Sequence, residues 1–358
     1  MRVFFVADYC IPIHARTLDE RPLGGTETGL IRLAEQLHLR GHEVSVFTSM
    51  PSPPPSPPES PQYLPFTALP LAGECDLFIA IQSSRSVFHE VKAQKVVYWT
   101  GDGPEQFTTF GIGDLRFQRR VHQVLCVSDS HKESLCKNSG YPPERVSVIR
   151  NGIAYEDFEG SEIRERQRLI FTSAPHRGLQ QALATFRILK EKFPALELHV
   201  FSGFELYDRE QPFQGPQTKV FHALRQECEQ LDGCFLHGNV KQSELAREYL
   251  RSGVYIYPAL VPETSCITAI EAKAAGCPAV VSSLGALPET VGKDGFVVGG
   301  DPMSNEFLHQ FVERVGALLV QNELWAELSQ GAVANAKANY TWAKVADRFE
   351  AIAKKLLL

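Results

Sequence analysis

Short apolar runs alternate from one end of this chain to the other with stretches whose apolar residues recur at helical spacing. Strands read at residues 2–8, Val44–Phe47, Asp76–Ile81, Val96–Trp99, Val124–Val127 and Val146–Ile149. Between the first two, Gly24-Gly25-Thr26-Glu27 leads into Leu30, Ile31, Leu33, Ala34 and Leu37, and Gly41 stops that helix. A second series runs through Leu169–Thr172, Leu198–Phe201, Cys234–His237, Val254–Tyr257, Ala279–Ser282 and Phe296–Val298. Strands separated by helices predict parallel sheets with crossover connections. Residues 51–65 hold eight prolines and predict an extended, structureless excursion inserted after a strand. After the turn signal Asn151-Gly152, polar residues gather between Glu156 and Arg168, as an interdomain connection would. The prediction is α/β, with two Rossmann-like parallel-sheet domains facing a cleft. The first spans 1–155 and carries the proline-rich loop; the second spans 168–338. Residues 339–358, starting at Tyr340-Thr341-Trp342, predict a last helix that packs back on the first domain.

Composition narrows the classes. A length of 358 residues fits two domains, and 44% apolar with 22% charged residues describes a globular protein. The net charge of −6 and the lack of a basic tract argue against nucleic acid as a partner. No apolar run approaches the ~18 residues a spanning helix needs. The start, Met1 to Asp8, reads as a buried strand rather than a leader. Eight cysteines lie scattered with no C-x-x-C pair, as small buried hydrophobes in a reduced compartment do. Cytoplasmic location is expected, and no Cys/His cluster has zinc-ligand spacing.

The candidate chemistry begins at Pro262-Glu263-Thr264-Ser265-Cys266-Ile267-Thr268 and continues through Glu271 to Gly276-Cys277-Pro278. Paired glutamates on a helix are usually solvated charge. Here the segment stands between two apolar strands, which places Glu263 at the carboxyl edge of a parallel sheet, where open α/β folds bind ligands. If Glu263 begins the helix, Glu271 lies about 80° round and roughly 12 Å along from it. The first-turn N–H groups between them suit a phosphate.

These residues resemble glycosyltransferase family 4, with the GT-B fold and retaining stereochemistry. The resemblance covers nearly the whole chain. It rests on the Gly24-Gly25 loop with its helix, on Val148-Ile149-Arg150-Asn151-Gly152, and on the E-x7-E pair Glu263/Glu271 running on to Gly285 and Glu289. It implies that Glu263 binds hydroxyls of the transferred sugar and that Glu271 binds the ribose. It also implies backbone amides of Cys266, Ile267 and Thr268 facing a diphosphate, and close approach of Gly24 and Gly25 to the donor. Arg177 before Gly178 stands where the family carries Lys-Gly, and the usual upstream Arg is replaced near Ser173 or Ala174. Asp102, after the strand ending at Trp99, is the acceptor-side candidate beside the reading of a plain turn residue; Glu105 and Trp99 are weaker choices. His237 lies where the base would sit.

The implied activity moves a sugar from a nucleoside diphosphate sugar to a hydroxyl acceptor (glycan, lipid-linked or small molecule). No cofactor is expected beyond that donor substrate. No D-x-D motif is present, and amides with one Arg replace a metal, so metal independence is expected. A sugar-nucleotide 2-epimerase and a non-catalytic sugar-nucleotide-binding module remain as alternatives. Peripheral contact with the inner membrane face is compatible with the sequence.

Overall fold

A strand covered by helices on both faces must be apolar at consecutive positions, not alternate ones. The strands of this chain obey that rule, as Arg2–Ala7 and Ser252–Tyr257 show by burying nearly every residue. The computed structural model describes residues 1–203 and 216–358. They divide into one unit of Met1–Gly152 with Trp342–Leu358 and another of Ile153–Thr341.

The first unit holds β1 (Arg2–Ala7), β2 (Glu43–Thr48), β3 (Gln62–Pro65), β4 (Glu74–Ile81), β5 (Lys92–Trp99), β6 (Gln123–Cys126) and β7 (Val146–Val148). They form one parallel sheet ordered β3-β2-β1-β4-β5-β6-β7. Val3, Phe5 and Ala7 point to one core and Phe4 and Val6 to another, as the period of two requires. The helix Trp342–Leu357 lies over the first of these cores beside the helix Gly25–Leu39. Trp342, Val345, Ala346, Phe349 and Ala353 enter that core. Arg40 and His42 bind Glu350 at 2.6 and 2.8 Å.

The second unit holds β8 (Glu165–Phe171), β9 (Glu197–Val200), β10 (Cys234–Leu236), β11 (Ser252–Tyr257), β12 (Ala279–Ser282) and β13 (Gly295–Val298). Its parallel sheet is ordered β10-β9-β8-β11-β12-β13. In both sheets the chain builds outward one way and then the other from its first strand. Crossovers therefore leave in opposite directions between β1 and β4, and between β8 and β11. That reversal opens a crevice at the carboxyl ends of those strands.

Two local expectations change. The end of the proline-rich excursion is not structureless: Gln62–Pro65 pairs with β2 from Ser45 to Thr48. As an edge strand it tolerates Pro65 in its last position, and Tyr63 is buried. Glu263 is not on the helix, which runs only from Ile267 to Ala274. Cys266 before it has φ +71°, a left-handed conformation through which an α-helix cannot continue.

Candidate active site in the second unit

The segment 258–266 leaves β11 at the reversal point and cannot be helical between Pro258, Pro262 and the left-handed Cys266. It lies instead against the turn after β12. Glu263 and Gly285 form a parallel bridge, and the Ala286 N–H donates to the Glu263 carbonyl at 2.7 Å. A Cβ on Gly285 would collide with the Glu263 backbone, and φ there is +59°. Glycine is what lets Glu263 sit so close.

Across the reversal point, β8 ends at Phe171; Thr172 and Ser173 follow, and then the short turn Pro175–Arg177. The Leu260 N–H donates to the Arg177 carbonyl at 3.1 Å, which ties this turn to the β11 loop. Gly178, at φ +139°, lies on Pro258 where any Cβ would strike the carbonyl. Arg177 Nη1 donates to Glu263 Oε1 at 2.7 Å. The Tyr257 hydroxyl donates to the same oxygen and accepts from Ser173 Oγ at 3.3 Å. Burial, with the Glu263 charge beside it, pushes the Tyr257 phenol far above its ordinary range, so it remains a donor. The Glu263 side chain is 11% exposed and its Arg177 partner 38%.

Glu271 projects from the helix Ile267–Ala274 and is 3% exposed. Gln242 Nε2, from the helix Gln242–Arg251, donates to its Oε1. The fully buried Tyr249 lies against it, and Tyr249 also shares a hydrogen bond with Thr172. Burial pushes the Glu271 carboxyl up to about 7. Between the two carboxylates the helix starts at Ile267. The N–H groups of Ile267 and Thr268 precede the first bond of that helix, which Ala269 makes to the Cys266 carbonyl at 3.2 Å. Thr268 Oγ1 bonds Tyr255 at 2.8 Å and lies 3.4 Å from the Cys266 sulfur.

Glu263, Arg177 and the 266–268 turn thus meet at the reversal point of one sheet, with Glu271 deeper behind the turn. His237 follows β10 at the sheet edge, two strands beyond β8. It stacks on Phe201 at 4.5 Å, with Nε2 3.0 Å from His199 Nδ1. Tyr257, Tyr249, Gln242 and the Thr172-Ser173 pair carried no motif. The only trace of the first was a tyrosine at the end of the buried run Val254-Tyr255-Ile256-Tyr257.

The remaining candidates lie in the first unit. Gly24 precedes the helix Gly25–Leu39 with φ −72°, so room rather than conformation distinguishes it. A Cβ there would stand 3.0 Å from a carboxylate oxygen of Glu27. Asp102 Oδ2 accepts from Thr108 Oγ1 at 2.6 Å, and its carbonyl meets His131 Nε2 at 2.9 Å. Burial holds His131 down at about 4, so it is neutral and its Nε2–H donates to that carbonyl. At the reversal point of this sheet, Asp8 accepts from Ser86 at 2.7 Å and meets His89 at 2.9 Å. These residues are far apart in the chain and gave no sequence signal.

Comparison with known proteins agrees on the fold. Residues 156–330 match the family model described as glycosyl transferases group 1. The MMP alpha-(1->4)-mannosyltransferase of Mycolicibacterium hassiacum is 27% identical over 212 residues, covering 58% of this chain and 48% of that protein. The mannosylfructose-phosphate synthase of Agrobacterium fabrum is 24% identical over 283 residues, covering 70% and 59%. The chain thus spans about half the length of the curated relatives it matches. Among solved structures, Anabaena HepE in complex with UDP and glucose superposes with a TM-score of 0.73 at 15% identity, covering 99% of this chain and 100% of that one. Sucrose-phosphate synthase from Thermosynechococcus elongatus gives 0.72 at 15% identity, covering 99% of each. The two parallel sheets are those of the GT-B fold.

Proposed function

We propose that this chain, whose residues 156–330 belong to the glycosyl transferases group 1 family, is a retaining glycosyltransferase that moves a sugar from a nucleoside diphosphate sugar to a hydroxyl acceptor. The observation that carries the reading is the convergence of Glu263, Arg177 and the 266–268 turn at the reversal point of the second sheet. Anions are favoured where helix N–H groups start and a guanidinium stands near, which suits a diphosphate. Glu263 offers a second oxygen beside the one that holds Arg177 and Tyr257, and that oxygen takes a hydroxyl of the transferred sugar. Glu271 takes the ribose. In the first unit, the loop at Gly24 and Gly25 meets the donor and Asp102 the acceptor.

In this mechanism the protein orients donor and acceptor and stabilises charge. Arg177 and the N–H groups of Cys266, Ile267 and Thr268 neutralise the departing diphosphate. That phosphate accepts the acceptor's proton as the new glycosidic bond forms on the same face. Among the described residues no three His, Cys, Asp or Glu side chains gather as metal ligands would. With Arg177 and these amides standing in place of a metal, turnover should persist in excess chelator. No helix among the described residues is long and apolar enough to cross a membrane; the proposed site of action is the cytoplasm, with the inner membrane face open to it.

The test is release of nucleoside diphosphate from a panel of UDP- and GDP-sugars. Steady release, accelerated by a hydroxyl acceptor and lost in Glu263→Ala, supports transfer. Epimer formation without release supports a 2-epimerase. Binding with neither supports a non-catalytic module.

A further inference from the structure

Glu263 and Glu271 each have a tyrosine beside them, and the two tyrosines are anchored in consecutive residues. Thr172 and Ser173 follow one another just beyond Phe171, the last residue of β8. The Thr172 hydroxyl shares a hydrogen bond with Tyr249, and the Tyr249 ring ends against Glu271. Ser173 Oγ donates to the Tyr257 hydroxyl at 3.3 Å, and Tyr257 donates to Glu263 Oε1. The frame therefore runs Glu271, Tyr249, Thr172, then Ser173, Tyr257, Glu263. Tyr249 and Tyr257 are 0% and 1% exposed. At such depth phenylalanine fills the same space with no polar atom to satisfy, and a hydroxyl there is costly unless it is bonded. Both hydroxyls are bonded, that of Tyr257 to Glu263 and that of Tyr249 to Thr172, with Glu271 beside it.

We propose that Tyr249 and Tyr257 are positioning residues with separate duties: Tyr257 aims Glu263 at the transferred sugar, and Tyr249 aims Glu271 at the nucleotide. This rests on the sugar-transfer reading above. Arg177 and Tyr257 both end on Oε1 of Glu263, so the carboxylate cannot turn without losing two donors, and Oε2 is presented in one direction. From the helix Gln242–Arg251, Gln242 donates to Glu271 Oε1, and Tyr249, on the same helix face, lies beside that carboxylate. The two anchors are consecutive residues just beyond β8, so both tyrosines are tied to the same end of that strand.

The experiment compares wild type, Tyr257→Phe and Tyr249→Phe. For each, nucleoside diphosphate release is measured on UDP-glucose, UDP-N-acetylglucosamine and GDP-mannose. UDP and GDP affinities come from calorimetry, and thermal midpoints are taken as a check on folding. Tyr257→Phe should lower kcat about ten- to a hundred-fold, as small misplacements of a reacting group do, with KM and nucleotide affinity within about twofold. Tyr249→Phe should weaken nucleotide binding and raise KM about fivefold or more, the worth of one hydrogen bond, with kcat within about twofold. A purely structural role would move both variants in the same parameter, or neither, and either result overturns the proposal. If Tyr249→Phe does not fold, Thr172→Val removes only the anchor and should give the same rise in KM; an unchanged KM overturns the proposal. If wild type turns over no donor, the sugar-transfer reading fails by itself. Crystal structures of the two phenylalanine variants then decide the positioning: displaced Glu263 and Glu271 carboxylates uphold it, and carboxylates left in place overturn it.

Discussion

Glu271 shows how burial sets the behaviour of a single side chain. Its folded-state pKa of about 7 stands above the ordinary carboxylate value of 4.5. The native chain therefore holds a proton that the unfolded chain has released, and native stability falls as pH rises from the ordinary range through about 7. Glu271→Gln keeps the Gln242 bond and removes the charge. Its thermal midpoint should gain on wild type as pH goes from 5 to 8, and a gap that stays constant would discard the burial argument. Nucleoside diphosphate affinity of wild type should rise over the same interval, since the ionised acid is the better acceptor for ribose hydroxyls; calorimetry at both pH values reads this directly. Cys266 makes a second point. A non-glycine residue at φ +71° is strained by ~1 kcal/mol or more. Cys266→Gly should keep the melting temperature within a few degrees of wild type or raise it, while the β-branched Cys266→Val should lower it clearly.

At the scale of elements, the short helix Ile267–Ala274 needs fastening, because eight residues are too few to be stable by themselves. Lys273 and Asp294 supply it from inside the core: 2% and 3% exposed, they pair at 2.9 Å, and Asn335 donates to the same Asp294 oxygen at 2.7 Å. Removing one member of such a pair leaves a buried charge uncompensated. Lys273→Met should therefore cost ~3–5 kcal/mol in denaturant unfolding, and Lys273→Met with Asp294→Asn should recover the larger part. If the single variant loses under ~1 kcal/mol, the pair is not what secures the helix. None of this fastening was legible beforehand. Lys273 read as one more polar residue in a helical run, and its partner lies in a turn beyond the next strand. The helix itself was legible, but its start was misplaced by four residues, because only the backbone conformation of Cys266 separates the Glu263 loop from the first turn.

For the whole molecule, the chain passes from the first unit to the second at Gly152 and back at Thr341. The last helix therefore finishes a core begun by the first strand. Truncation after Thr341 strips five buried side chains from that core, of which the large ones, such as Val345 and Phe349, are worth ~1.5–3 kcal/mol each. Calorimetry of the truncated protein should show a transition for the first unit shifted far down, with that of the second unit near its original temperature. A single unshifted transition would show that the helix contributes little.

The alternation of apolar runs with amphipathic stretches was enough to determine two parallel α/β sheets. Strand and helix periods are local properties, and a strand that is apolar at every position has only a doubly covered sheet to enter. Local pattern also marked the acids and glycines near the carboxyl edges. What joins those residues is not local. Arg177 meets Glu263 across 86 positions and Tyr249 meets Thr172 across 77. Such contacts depend on which strands become neighbours at the reversal of the sheet, and that choice is made by the packing of the whole unit.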